Sequence, residues 1–157
     1  MNRSIGRDIF IGMLFLVIQL IIFRHLSIFG STADLVLLFI LWLSTIAPRS
    51  YTLLFAAAFG ILQDAFLDIW GMNMFSKVLV VMISYSFLRQ MTQNKLFLSQ
   101  TVGVVFGAAL VHNLGFLGIA YLATDYNVGI NFFENALGNS LYTAIIGALI
   151  YLFKKED

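Results

Sequence analysis

Residues 9–23 read IFIGMLFLVIQLIIF, and only Gly12 and Gln19 interrupt the apolar character. A bilayer offers no water to backbone N–H and C=O groups, so a run like this must satisfy its own hydrogen bonds as a helix. A membrane barrel would instead alternate apolar and polar residues over about ten positions. The rest of the chain agrees. Of 157 residues, 61% are hydrophobic and 11% are charged, against roughly 45–50% and about 25% in a soluble domain. The mean hydropathy is +0.93. A water-soluble fold of this size cannot hide so much apolar surface. The formal net charge of +1 gives no basic field for nucleic acid, and the absence of cysteine excludes disulfides and thiolate chemistry.

Further apolar runs predict six spans, near 8–23, 34–47, 51–69, 74–89, 96–123 and 134–153. At ~20 residues per span they use most of the chain. The expected fold is therefore all-α, a polytopic integral membrane bundle of six transmembrane helices forming one domain over 1–157. The second span is short for a ~30 Å hydrocarbon core, so it starts earlier or a neighbour covers its end. Ser31 and Asp34 resemble a capping box ahead of it, and Pro48 marks its stop. Arg3 and Arg7 before the first apolar run resemble the start of a signal peptide. The small residues Ser31 and Ala33 lie too far beyond that run, after Arg24, so the segment reads as an uncleaved helix.

Charge sets the orientation. With the N-terminus inside, Arg3, Arg7, Arg49, Arg89, Lys95, Lys154 and Lys155 are cytoplasmic, and only Arg24 and Lys77 are outside. That bias places both termini in the cytoplasm. Trp70, Tyr121 and Tyr126 fall at the outer aromatic belt, and Tyr51 and Tyr151 at the inner one.

Asp64 is the expensive residue. An ionised carboxylate at mid-helix costs at least ~2.5–3.5 kcal/mol on insertion scales, so it must face protein or water. Ala56, Gly60, Asp64 and Asp68 recur every four residues and share one helix face. The small pair lets another helix approach closely. His112 and Asn113 fall at a similar depth in the fifth span, Asn135 and Asn139 open the sixth, and Gln19 is past the middle of the first. The expectation is an outward-facing polar site for a partner or ligand, built from Asp64, Asp68, His112, Asn113 and Asn139, above an apolar inner half. Asp64 alternatively serves as interhelix glue, protonated or paired with His112 or Lys77. Asp68 and Lys77 read as solvated near the outer headgroups. Gly103 and Gly107, continued by Gly115, form a small-residue row that predicts close packing, as do Ser140, Ala144 and Ala148. No histidine pair at ligand spacing suggests a metal, no cofactor motif is present, and no P-loop, HExxH or GxSxG motif suggests an enzyme.

The segment 34–88 resembles MreD, a bacterial rod shape-determining membrane protein. The resemblance is carried by Asp34-Leu-Val-Leu-Leu, by Gly60-Ile-Leu-Gln-Asp64 with Gly71 following, and by the Lys77–Leu88 helix ending in Ser84-Tyr85-Ser86-Phe87-Leu88. It departs from the family pattern at Ala33, where a proline often precedes the aspartate, and at Pro48-Arg49-Ser50. The resemblance adds Gly71 to the packing residues. It implies a non-enzymatic scaffold of the cell-elongation machinery that binds MreC and, through it, couples MreB filaments to the peptidoglycan synthase. It also implies a fold similar to the substrate-binding subunits of energy-coupling-factor transporters. The alternative function is therefore a small-molecule, vitamin-type binding subunit. Such subunits usually dock through an Ala-x-x-x-Ala face on the first span, where this chain has only Gly12 followed by Leu16.

Overall fold

A computed structural model describes residues 4–23, 26–27, 31–69, 71–93, 98–123 and 131–155. Arg3, Arg24, His25, Trp70, Lys95, Asp125 and Tyr126 lie outside the described residues, as do the side chains of Glu134, Asn135, Lys154 and Lys155.

The described chain is all-helical: α1 (Ile5–Ile18), α2 (Leu35–Ile46), α3 (Arg49–Leu67), α4 (Met72–Gln93), α5 (Leu98–Ala123) and α6 (Asn131–Lys155). A π-helical turn, Gln19–Phe23, continues α1. The ends differ from the sequence reading by a few residues. The largest shift is at α4, which runs four residues further at its C-terminal end and begins two earlier. Three stretches, Ile5–Ile22, Arg49–Leu67 and Leu98–Leu122, are long and apolar enough to cross a bilayer, and Leu35–Ile46 and Ala136–Leu152 are shorter apolar helices. The outer surfaces match that character. Phe10 and Leu54 are each 70% exposed, an unfavourable surface in water and an ordinary one in hydrocarbon.

The short helix α2 is the centre of the structure. Its residues Leu35 to Leu41 are all buried, and it touches each of the other five helices. Over that stretch the helix is hydrophobic all round because every side of it meets another helix. Its Phe39 ring meets Phe15, Trp42, Phe55 and Phe59 with centroids 5.5–6.3 Å apart. Gly12 of α1 lies against the Phe39 and Phe59 rings, where a Cβ would collide with both.

The shortness of α2 is made good by the chain before it. Asp34 is the N-cap, accepting the Leu37 N–H at 2.8 Å. Ser31 is not part of this cap: it is buried and seated against Gly138 of α6. The backbone N–H groups of Thr32 and Asp34 donate to Asn139 Oδ1 at 2.8 Å and Thr143 Oγ1 at 3.0 Å, and Gln19 Oε1 accepts the Leu35 N–H. Side chains of α6 and of the π-helical turn thus satisfy backbone donors that neither helix nor lipid can serve.

Pro48 stands between α2 and α3 as the N-cap of α3, where its missing N–H costs nothing. Asp68, at φ 57, and Gly71, at φ 83, turn the chain from α3 into α4. Both lie in the left-handed region that favours glycine. Gly71 is therefore a turn residue and not the packing residue expected, since among the described residues no atom lies within 4 Å of where its Cβ would be. Gly60 does pack: its missing Cβ is replaced by the backbone of Met74 at the start of α4. Ala56, one turn earlier on the same face, is fully buried. Gly103 and Gly107 do not pack as expected, because among the described residues nothing lies within 4 Å of a Cβ at either. The fourfold spacing puts both on one face of α5, where they line a cleft between α4 and α5. Gly115, further along, does meet Leu79 and Ser76 of α4.

Candidate functional site

Polar side chains gather at one end of the bundle, the end that the charge pattern assigns to the outside. Lys77 of α4 is at their centre and is 0% exposed. Its Nζ is 2.7 Å from Asp34 Oδ2, 3.2 Å from His112 Nε2 and 3.4 Å from Asn73 Oδ1. An ammonium has three protons to donate, and three acceptors surround this one. His112 Nε2 is then an acceptor, which leaves the ring proton on Nδ1. Lys77 is thus not solvated near the headgroups, as the sequence suggested. The earlier start of α4 carries it more than a turn into the helix. There the Asp34 carboxylate, held at the cap of α2, neutralises it.

Asp64 is buried, at 1% exposure, as the cost of a lipid-exposed carboxylate requires. Its partners are neither Lys77 nor His112. Oδ1 accepts the Asn73 N–H at 2.9 Å and Oδ2 the Met74 N–H at 3.1 Å. It caps α4 from the neighbouring helix, with a negative charge at the positive end of the helix dipole. Gly60, one turn below, gives that helix end room to come so close. Asp68, the helix C-cap of α3, is exposed, so the expected acidic stripe stops at Asp64.

Above the ion pair is a cavity of about 420 Å³, whose polar wall includes Gln19, Asp34, Gln63, Asn73, Asn113 and Asn139. His112 also reaches it, and Phe116, Leu117 and Leu67 supply apolar wall. Of the five expected site residues, the structure brings His112, Asn113 and Asn139 into this cavity; Asp64 and Asp68 do not line it. Asn113 Nδ2 donates to Ser140 Oγ at 2.9 Å and to the Ala109 carbonyl at 2.9 Å, tying α5 to α6. The sequence reading omitted Asp34, Gln63 and Asn73 from the site. The signal for Gln63 was its place beside Asp64 on the buried side of α3. Asn73 precedes Lys77 by one helical turn, the spacing that stacks two side chains on one face.

Two side-chain atoms of cavity-lining residues, Gln63 Oε1 and Asn73 Nδ2, have no hydrogen-bond partner among the described residues, and neither is itself accessible from the cavity. Their residues are 4% and 3% exposed. One is an acceptor and the other a donor.

A second, almost wholly apolar cleft of about 450 Å³ lies between α4 and α5, at the opposite half of the bundle. Gly103, Gly107, Val104 and Ala108 form its α5 side, and Val80, Ile83 and Phe87 its α4 side. At the same half, a buried Asp8 accepts from the Tyr51 hydroxyl at 2.9 Å. Arg49 and Arg89 donate to the carbonyls of Met82 and Thr45 at 3.1 and 2.9 Å.

No family model, curated protein or solved structure matches this chain.

Proposed function

We propose that this chain is a non-enzymatic six-span scaffold of the bacterial inner membrane, of the MreD kind, and that it holds the transmembrane helix of MreC. Through that partner it couples MreB filaments to the peptidoglycan synthase and so to rod shape. One observation carries the reading: the cleft between α4 and α5 is apolar and, among the described residues, no atom lies within 4 Å of a Cβ at Gly103 or Gly107. Two glycines four residues apart with an open face allow a second helix backbone to approach closely, which is how helices associate where lipid removes the hydrophobic drive. MreC, a protein with a single membrane span, offers one such helix. The residues behind the resemblance support the reading in a second way. Asp34, Gly60, Asp64, Gly71 and Lys77 each fix how α2, α3 and α4 meet. Asp34, Asp64, Lys77 and Asn113 are engaged within the chain, which favours the cleft over Asp64 as the seat of the partner.

The vitamin-type alternative lacks its docking surface. Gly12, the small residue of the first helix, faces inward onto Phe39 and Phe59.

The test fills the cleft. Gly107→Leu places a side chain in open space, so the protein should melt no lower than wild type. Affinity purification after co-expression with MreC should then recover MreC with wild type and lose at least nine-tenths of it with the variant. Full recovery of MreC by a correctly inserted Gly107→Leu protein defeats the proposal.

A further inference from the structure

Two arginines at the end of the bundle away from the polar cavity carry charge that the described chain does not balance. Arg49 opens α3, and Arg89 lies in the last turns of α4. Both are exposed. Each ties the α2–α3 junction to α4: Arg49 Nη2 donates to the Met82 carbonyl at 3.1 Å and Arg89 Nη1 to the Thr45 carbonyl at 2.9 Å. Tyr85 and Ala47, which fall between these residues in sequence, are joined by a hydroxyl-to-carbonyl bond of 3.0 Å. A guanidinium has five N–H donors. One carbonyl occupies one donor and neutralises no charge. Among the described residues no carboxylate is within 4.0 Å of either arginine. Asp34, Asp64 and Asp68 belong to the other end, and Asp8 is buried against Tyr51 and faces Arg7 at 4.0 Å. Arg49 also stands at the positive end of the α3 dipole, where a cation is disfavoured, so helix stability does not account for its charge.

We infer that Arg49 and Arg89 hold the phosphate of an anionic phospholipid headgroup. Guanidinium groups bind phosphate oxygens through paired N–H bonds, and basic sites between helices at the cytoplasmic side suit lipid headgroups. The phosphate is that of a lipid because each guanidinium is anchored beside an exposed apolar side chain. Met82, whose carbonyl accepts from Arg49, is 55% exposed, and Ile46, next to Thr45, is 40% exposed. Acyl chains can lie on these two side chains while the phosphate meets the arginines. A zwitterionic lipid brings an ammonium group with its phosphate, and two fixed cations repel it, so a headgroup of net negative charge is favoured. The carbonyl anchors hold both guanidinium groups in place beforehand, which leaves less ordering to oppose binding. The inference rests on the bundle being membrane-embedded with this end at the cytoplasmic headgroups, and not on MreC. Loss of MreC capture leaves it standing, and its own failure leaves the scaffold reading standing.

The experiment measures melting of the detergent-purified full chain with phosphatidylglycerol, with phosphatidylcholine, and with inorganic phosphate at millimolar concentration. Phosphatidylglycerol should raise the melting temperature several degrees more than phosphatidylcholine, and inorganic phosphate should leave it unchanged. The double variant Arg49→Gln, Arg89→Gln removes both charges and keeps a polar N–H donor at each position. It should respond alike to the two lipids. Arg7→Gln removes a cation that already faces Asp8 and should keep the preference, as should Gly107→Leu. Lipid extracted from the purified wild-type protein gives a second reading that needs no variant to fold: it should be enriched in anionic phospholipid over the membrane of origin. The inference is overturned if the two lipids stabilise wild type equally, if inorganic phosphate alone produces the rise, or if the extracted lipid matches the membrane in composition. It is equally overturned if the double variant keeps the preference, or if Arg7→Gln abolishes it as fully as the double variant does.

Discussion

Replacing Lys77 with methionine removes one charge from the buried pair and keeps the bulk of the side chain. Lys77 is 0% exposed, and the Asp34 side chain it neutralises is 15% exposed at the cavity wall. Breaking a buried ion pair from one side costs about 3–5 kcal/mol, because the surviving charge is left in a poor solvent. Asp34 retains the Leu37 N–H at 2.8 Å and a partial view of the cavity, which argues for the lower end, ~3 kcal/mol. His112 Nε2 and Asn73 Oδ1 lose their donor in the same step. The double variant Lys77→Met, Asp34→Asn removes both charges and keeps a capping side chain on α2. It should recover most of the loss, since two neutral groups carry no mutual debt of solvation. The assay is reversible unfolding in mixed micelles for wild type, both single variants and the double. A double-mutant cycle then gives the coupling directly, expected at about 2 kcal/mol or more. A Lys77→Met protein within ~1 kcal/mol of wild type, or a coupling near zero, would refute the claim that this pair is buried and mutually dependent.

Three further predictions concern the junction of α3 and α4. Gly60→Val should cost at least ~1–3 kcal/mol of stability in the same unfolding assay, because the new carbons fall on the backbone of Met74 and not on a flexible side chain. Asp64→Leu removes the acceptor of two helix-initiating N–H groups, at 2.9 and 3.1 Å. It should cost a few kcal/mol at ~1–3 per stranded donor and speed amide exchange at Asn73 and Met74. Asp68→Ala, at an exposed position, should stay within about 0.5 kcal/mol of wild type.

The helices were legible because each is written in a local pattern. An apolar run of the length of 9–23 has few other ways to satisfy its backbone, and Pro48 punctuates the chain where α2 yields to α3. The gathering of polar residues at one end was legible for the same reason: depth along a helix is a count of residues. What the sequence did not contain was who meets whom. Asp64 and Asp34 are both carboxylates at the outer end, and which of them takes Lys77 depends on how α2, α3 and α4 are rotated about their axes. The rotation is set by contacts such as Gly60 on Met74, which are properties of the assembled bundle. A boundary shift of two residues at α4 was enough to move Lys77 from an expected solvated position to full burial. The glycine rows show the same limit. Gly60 and Gly107 both sit in fourfold series of small residues, yet one is filled by a neighbouring backbone and the other is open. Spacing records which face can accept a helix; it does not record whether this chain supplies one.

The two open features differ in chemistry, and that difference orders what each can hold. The Gly103–Gly107 cleft is almost wholly apolar. In a bilayer, acyl chains would fill it as well as any apolar solute does. A helix gains more there, since close backbone approach yields dispersion contacts that disordered lipid tails cannot match. The cavity at the other end is the reverse case. Its wall holds the carboxylate of a neutralised ion pair and a set of amides. A partner helix would have to bring polar groups to it, at a cost in hydrocarbon before it arrived. Gly107→Leu should therefore alter partner capture and leave the Lys77–Asp34 coupling at its wild-type value.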